Sequence, residues 1–272
     1  MVYSDTSEMT AAGKAESELF RQSLSGHNCA MPDRYLRPMQ NFIRPEILAR
    51  LASALTAAET PYTLRVAIDG RSGAGKTTFA DELAEAIIKI GRPVIRTSID
   101  GFHRPKAERY ARGRYSPEGY YHDARDLGAV RRLLLDPLGP NGDGLYRTEF
   151  LNLETDASVD QAPRLAAPDT ILLVDGTFLL RPELMDGWDI AVLLDTSDAA
   201  SESRGIARDT KLLGGVEATR RLYAQRYRPA YALYERACRP HETADVIVDN
   251  EDIAKPSLWI RPGGRLALPT AD

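Results

Sequence analysis

Cysteine is nearly absent: Cys29 and Cys238 are the only two in 272 residues, far apart and outside any C-x-x-C pattern. That scarcity argues against a disulfide framework or a cysteine-built zinc site, and it fits a reducing cytoplasm. Long apolar runs are missing too. No stretch approaches the ~18 residues a membrane helix needs, and the first residues lack the apolar core of a secretory signal, so a soluble, cytoplasmic chain is expected. Positive charge is not in excess either, with a formal net charge of -4. No global field recruits nucleic acid, which is therefore not the expected partner. None of the six lysines follows an asparagine, so the N-K-x-D signature of guanine recognition is lacking. The lone D-x-x-G match, Asp136 to Gly139, follows a helix rather than a strand, and a regulatory GTPase falls behind.

What the chain does contain is Gly70-Arg71-Ser72-Gly73-Ala74-Gly75-Lys76-Thr77, followed by Thr78. It matches G-x-x-x-x-G-K-[ST] at every fixed position, between an apolar run and a helical one. Glycines let the backbone turn its N–H groups inward around anionic oxygens, and the next helix adds its positive end. Residues 70–78 are thus expected to bind ATP. Lys76 would serve the β- and γ-phosphates, and the Thr77 hydroxyl would serve Mg2+.

The rest of the chain reads as one domain with additions. Residues 1–44 hold few large apolar side chains and are expected to form a flexible tail. Ile47, Leu48, Leu51 and Leu55 then recur at helical spacing. Strands are expected at 64–68, 94–99, 171–174, 190–194 and 246–248, with helices at 77–90, 127–135, 199–213 and 216–238. Strands alternating with helices predict an α/β fold over residues 45–252, a doubly wound parallel sheet of about five strands with helices on both faces. Pro256, Pro262, Gly263, Gly264 and Pro269 suggest a loosely packed tail over 253–272.

Parallel strands converge at their carboxyl ends, where Asp100, Asp175 and Asp195 are placed. Asp175 closes the apolar run 172–174, a setting suited to a carboxylate that holds magnesium with Thr77; the alternative is an acidic turn. Asp195-Thr196-Ser197 reads better as a helix N-cap. The stretch Ser98-Ile99-Asp100-Gly101-Phe102-His103, with Ser116 to Asp123, resembles the uridine kinase and phosphoribulokinase family of P-loop kinases, over roughly residues 45–250. The resemblance implies ATP-dependent phosphate transfer to a small, nucleoside-like acceptor. It makes Asp100 the base toward the acceptor hydroxyl and places His103, Tyr121 and Asp123 at the acceptor, His103 standing where the family usually carries tyrosine. It also implies a helical lid around Ser203 to Asp209, in which Arg204 and Arg208, four residues apart, close over the phosphates; Ser201 and Gly205 replace arginines there. Other members phosphorylate pantothenate, ribulose phosphate or nicotinamide riboside, and the loop does not choose among them.

A basic run, Arg104, Lys106, Arg109, Arg112 and Arg114, is interleaved with Tyr110 and Tyr115. It reads first as a solvated loop, and otherwise as a surface steering an anionic or aromatic substrate or touching RNA.

Overall fold

A computed structural model describes residues 42–262 and 264–266. Most of the N-terminal tail expected over 1–44 lies outside the described residues. Helix α1 runs Arg44–Ala57. Strand β1 is Leu64–Gly70, and α2 is Lys76–Ile90. Strands β2 (Val94–Ser98), β3 (Ile171–Gly176) and β4 (Ile190–Asp195) follow. Helices α3 (Asp198–Asp209), α4 (Val216–Leu222) and α5 (Arg228–Cys238) lead to β5 (Val246–Asp249) and β6 (Ser257–Ile260).

The sheet order is β6-β5-β4-β1-β3-β2. Strands β2, β3, β1, β4 and β5 are parallel, and β6 pairs antiparallel with β5. The fold is therefore α/β as expected, with a sixth strand where residues 253–272 read as a loose tail. That expectation weighted the prolines and glycines and passed over the alternation in Ser257-Leu258-Trp259-Ile260, which buries Leu258 and Ile260. The period of two is enough for an edge strand.

β1 is buried along its whole length, so it sits at the centre of the sheet. On one face Ile47, Leu51 and Leu55 of α1 meet Phe79, Leu83 and Ile87 of α2 over Val66, Ile68, Leu173 and Val192. Spacings of four residues keep each set on one stripe of its helix. β3 and β4 flank β1 on opposite sides, in the register Ile68↔Asp175 and Gly70↔Leu194. This is where the chain switches direction across the sheet, and a crevice opens there outside the carboxyl ends. Among the described residues no helix is long and apolar enough to cross a membrane.

The segment 216–238 departs from a regular helix. Tyr223–Tyr227 forms a wide π turn between α4 and α5, and Gly119–Asp123 forms another. Such turns re-aim side chains that a uniform helix would place elsewhere. Both deliver aromatic residues to the same cavity.

Candidate active site

At the carboxyl ends of β1, β2 and β3 lies a cavity of about 360 Å3, lined by the phosphate loop, Asp100, His103, Asp175 and Arg208 among others. The loop takes the conformation its glycines allow. Gly73 has φ +84°, and a Cβ there would sit 2.1 Å from the carbonyl oxygen of Ser201. Helix α3 thus packs directly on the loop, and the small buried residues Ser201 and Gly205 are what permit it. A Cβ on Gly205 would collide with the Tyr223 hydroxyl. Glycine at 205 therefore has a packing cause.

Lys76 is buried, and its Nζ donates to the Arg71 carbonyl at 2.8 Å. Burial pushes its ammonium below the usual lysine range against the pull of Asp175 and Asp69. Arg71 itself points out of the loop, bonded to Asp198 and Glu235 and lying over the Tyr231 ring. Ala74 is buried, with its carbonyl taking the Asn250 Nδ2 at 2.7 Å, and Thr78 lines the cavity.

The Thr77 hydroxyl donates to Asp175 Oδ2 at 2.8 Å, while Asp175 Oδ1 is 2.8 Å from Arg96 Nη1. No group of three or more His, Cys, Asp or Glu side chains suited to a metal occurs among the described residues. One carboxylate beside a hydroxyl still suits Mg2+, which takes few protein ligands and completes its shell with phosphate oxygens and water. The donor set and the glycine cradle fit a magnesium–triphosphate, with Thr77 and Asp175 as the protein ligands. Arg96, which competes for Asp175, escaped the sequence reading because its partner is set by the β2–β3 register.

Asp100 stands in a short 3-10 turn, Ile99–Phe102, capped by the Ser98 hydroxyl. Its side chain is 54% exposed and faces the cavity, bonded to Arg125 Nη2 at 2.9 Å. Withdrawal from bulk water raises the Asp100 carboxyl, but the Arg125 guanidinium outweighs this and holds it at about 2. His103 Nδ1 lies 2.9 Å from the Asp100 carbonyl. Burial, reinforced by Arg125, pushes its imidazole down to about 4. At neutral pH it is therefore uncharged, donating through Nδ1 and leaving Nε2 as an acceptor.

The other expected site residues divide. Arg208 lines the cavity, paired with Asp209 at 2.6 Å. Arg204 does not line it, because its guanidinium donates to the carbonyls of Asn250 and Glu251, tying α3 to the end of β5. Tyr121 is a core residue, packed against Phe178 and Tyr234, with its hydroxyl 3.5 Å from Cys238 Sγ. The neighbouring Tyr120 also packs on Phe178 but lines the cavity, since successive side chains on the turn at 119–123 point different ways. Asp123 is held by Arg112 at 2.7 Å and does not line the cavity. Asp195 is no helix cap: Ser197 accepts the Ala200 N–H, while Asp195 is 3.1 Å from His241 Nε2. The basic run is only partly solvated, for Arg109 is buried and bonded to Asp156.

Asp69, unremarked in sequence, organises the floor of the site. It is 0% exposed and accepts the N–H groups of Phe178 (3.1 Å) and Leu179 (3.4 Å) and the Tyr234 hydroxyl. Burial raises its carboxyl above the usual range. Phe178 has φ +75°, an unfavourable conformation that these bonds hold just beyond Gly176 and Thr177 of the cavity. Asp69→Ala would strand two buried N–H groups and a phenol, so a loss of about 3 kcal/mol is expected in urea unfolding. Asp69→Asn, which keeps one acceptor oxygen, should cost less; equal stability of D69A and wild type would refute the role.

No protein-family model matches this sequence, and no curated protein matches it. Among solved structures, the chain is similar to a Bacillus stearothermophilus protein described as a possible uridine kinase, at 24% identity and TM-score 0.58, over 75% of this chain and 96% of that one. It is also similar to a Silicibacter sp. TM1040 protein assigned provisionally as a fructose transport system kinase, at 22% identity and TM-score 0.59, over 70% and 95%. Identities this low speak to architecture alone, an α/β fold whose largely parallel sheet is flanked by helices, consistent with a P-loop NTPase-like architecture.

Proposed function

We propose that this chain is an ATP-dependent kinase that transfers the γ-phosphate to a hydroxyl of a small, nucleoside-like acceptor, in the manner of a uridine kinase. The observation that carries the reading is the meeting, in one cavity, of a complete phosphate loop and a carboxylate kept ionised by a buried arginine. The loop N–H groups and Lys76 hold the phosphates and meet the charge that develops on them. Magnesium, held by Thr77 and Asp175, would neutralise phosphate charge. Asp100 orients the acceptor hydroxyl and takes its proton as the acceptor oxygen bonds to the γ-phosphorus. The bond from that phosphorus to the bridging oxygen breaks, and ADP leaves. His103 offers Nε2 to a second acceptor hydroxyl, and the rings of Tyr120, Tyr223 and Tyr227 form walls for a sugar or base. Arg208 lies where it can meet the transferred phosphoryl group, while Arg204 fixes the lid helix.

The pairing of Arg104, Arg109 and Arg112 with carboxylates supports small-molecule transfer over an RNA-binding reading. The test is ADP release from ATP across nucleosides, nicotinamide riboside, pantothenate and sugar phosphates. At least one acceptor should drive turnover on the order of 1–100 s⁻¹, and EDTA should abolish it. ATP binding without acceptor-dependent ADP release would count against a kinase.

A further inference from the structure

The acceptor end of the cavity carries more positive charge than a neutral acceptor requires. Arg226, from the π turn between α4 and α5, is 4% exposed. Its Nη1 donates to the Arg114 carbonyl, and its guanidinium lies over the rings of Tyr110 at 4.8 Å and Tyr120 at 5.0 Å. Among the described residues no carboxylate lies within ion-pair distance of it. Burial and the positive charge of Arg125 push it below the usual arginine range, outweighing the phenols around it. Arg125 also rests against Tyr120, at 5.4 Å, and it is buried. Its Nη2 donates to Asp100, and the Tyr120 hydroxyl is its other polar neighbour.

These guanidiniums sit beside an annex of about 100 Å3, lined by Arg109, Arg114 and Arg226. The annex shares His103, Tyr120 and Tyr227 with the main cavity, so the two adjoin at these side chains. Aromatic faces attract a cation only modestly, whereas a buried charge without a counter-ion is costly. The deficit at Arg226 is met by an anion placed in the annex that it lines.

We propose that the acceptor carries its own anionic group, a phosphomonoester or a carboxylate, which seats in this annex against Arg226 and turns the acceptor hydroxyl toward Asp100. The proposal rests on the kinase reading above and narrows its substrate class. Planar guanidiniums suit the oxygens of such groups, and a site built for an anion discriminates strongly against an acceptor that lacks one.

The test uses the full chain with ATP and Mg2+ and acceptors in matched pairs: ribose against ribose 5-phosphate, uridine against uridine 5′-monophosphate, and glycerol against glycerol 3-phosphate and glycerate. The phosphorylated and carboxylated members separate the two sources of the anion. One anionic member should exceed its neutral partner in kcat/KM by about 100-fold or more. Arg226→Gln should raise KM for that member about 10-fold with kcat little changed, and leave KM for the neutral partner alone, which a merely structural arginine would not do. Neutral members turned over as well as anionic ones would overturn the proposal while leaving the kinase reading intact. A second measurement stands apart from turnover. With a non-hydrolysable ATP analogue and Mg2+ filling the donor loop, inorganic sulfate should bind wild type in calorimetry and bind R226Q, or Arg114→Gln should R226Q not fold, at least 10-fold more weakly. Sulfate binding that is absent, or equal in wild type and variant, would overturn the anion site even if every acceptor were inert.

Discussion

Asp100→Asn is expected to lower kcat by about 10²- to 10⁴-fold, the range for loss of a positioned general base, while ATP affinity stays within about twofold of wild type. The substitution is nearly isosteric, and an asparagine Oδ1 can still accept from Arg125 Nη2, so the cavity wall is kept. What disappears is the negative charge. A carboxylate held at about 2 is a weak base toward a free hydroxyl. In a loose phosphoryl-transfer transition state, however, the hydroxyl proton becomes acidic late, so orientation and charge matter more than ground-state basicity. The same value fixes the pH dependence. Asp100 protonates only near pH 2 and His103 only near pH 4, so neither titrates between pH 5 and 8 and neither should contribute a limb to the kcat/KM profile there. An acid limb near pH 6.5 that vanishes in His103→Gln would contradict the uncharged histidine. Wild-type turnover by D100N would remove Asp100 from the chemistry.

The glycine-rich loop of this cavity was legible in sequence because it is local. Eight consecutive residues determine the phosphate loop, and a strand followed by a helix supplies its setting. Asp100 and Asp175 were legible as strand-end carboxylates, since parallel topology brings such ends together whatever the connections do. The opposite wall of the cavity was not, because its residues are chosen by registers that single residues do not announce. Tyr120 and Tyr121 are identical side chains in adjacent positions. Consecutive positions on a helical turn diverge, so although both rings meet Phe178, one lines the cavity and the other packs on Tyr234. Arg125 belonged to no motif, and its partner lies 25 residues earlier. Arg204 and Arg208 share a helical face, yet the end of β5 claims one of them through backbone carbonyls that no side-chain pattern predicts. β6 was hidden by the prolines around a four-residue alternation.

Lys76→Met separates function from stability more sharply than any other change at this site. kcat/KM for ATP should fall by about 10²- to 10³-fold, the cost of removing one preorganised charge from a developing anion. Stability should not fall with it. Lys76 is 8% exposed, and its ammonium has one hydrogen bond, to the Arg71 carbonyl. Burial already pushes it below the usual lysine range, a sign that the folded apo protein holds this charge at a cost. Methionine has a similar length and no desolvation penalty, so K76M is expected to melt at or above the wild-type temperature without nucleotide. Saturating ATP and Mg2+ should then reverse the order. At a ligand concentration about 100 times Kd, binding adds about 2.7 kcal/mol to wild-type stability, and most of that gain should be missing in the variant. Thermal melts with and without Mg–ATP, beside steady-state rates, read all three quantities. A K76M protein that melts well below wild type without ligand would show that the lysine is structural. One that keeps the full nucleotide-induced shift would show that its charge does not face the phosphates. The expected crossing of the two melting orders arises because the loop holds a cation that the empty fold does not need, at the point where the proposed reaction places negative charge.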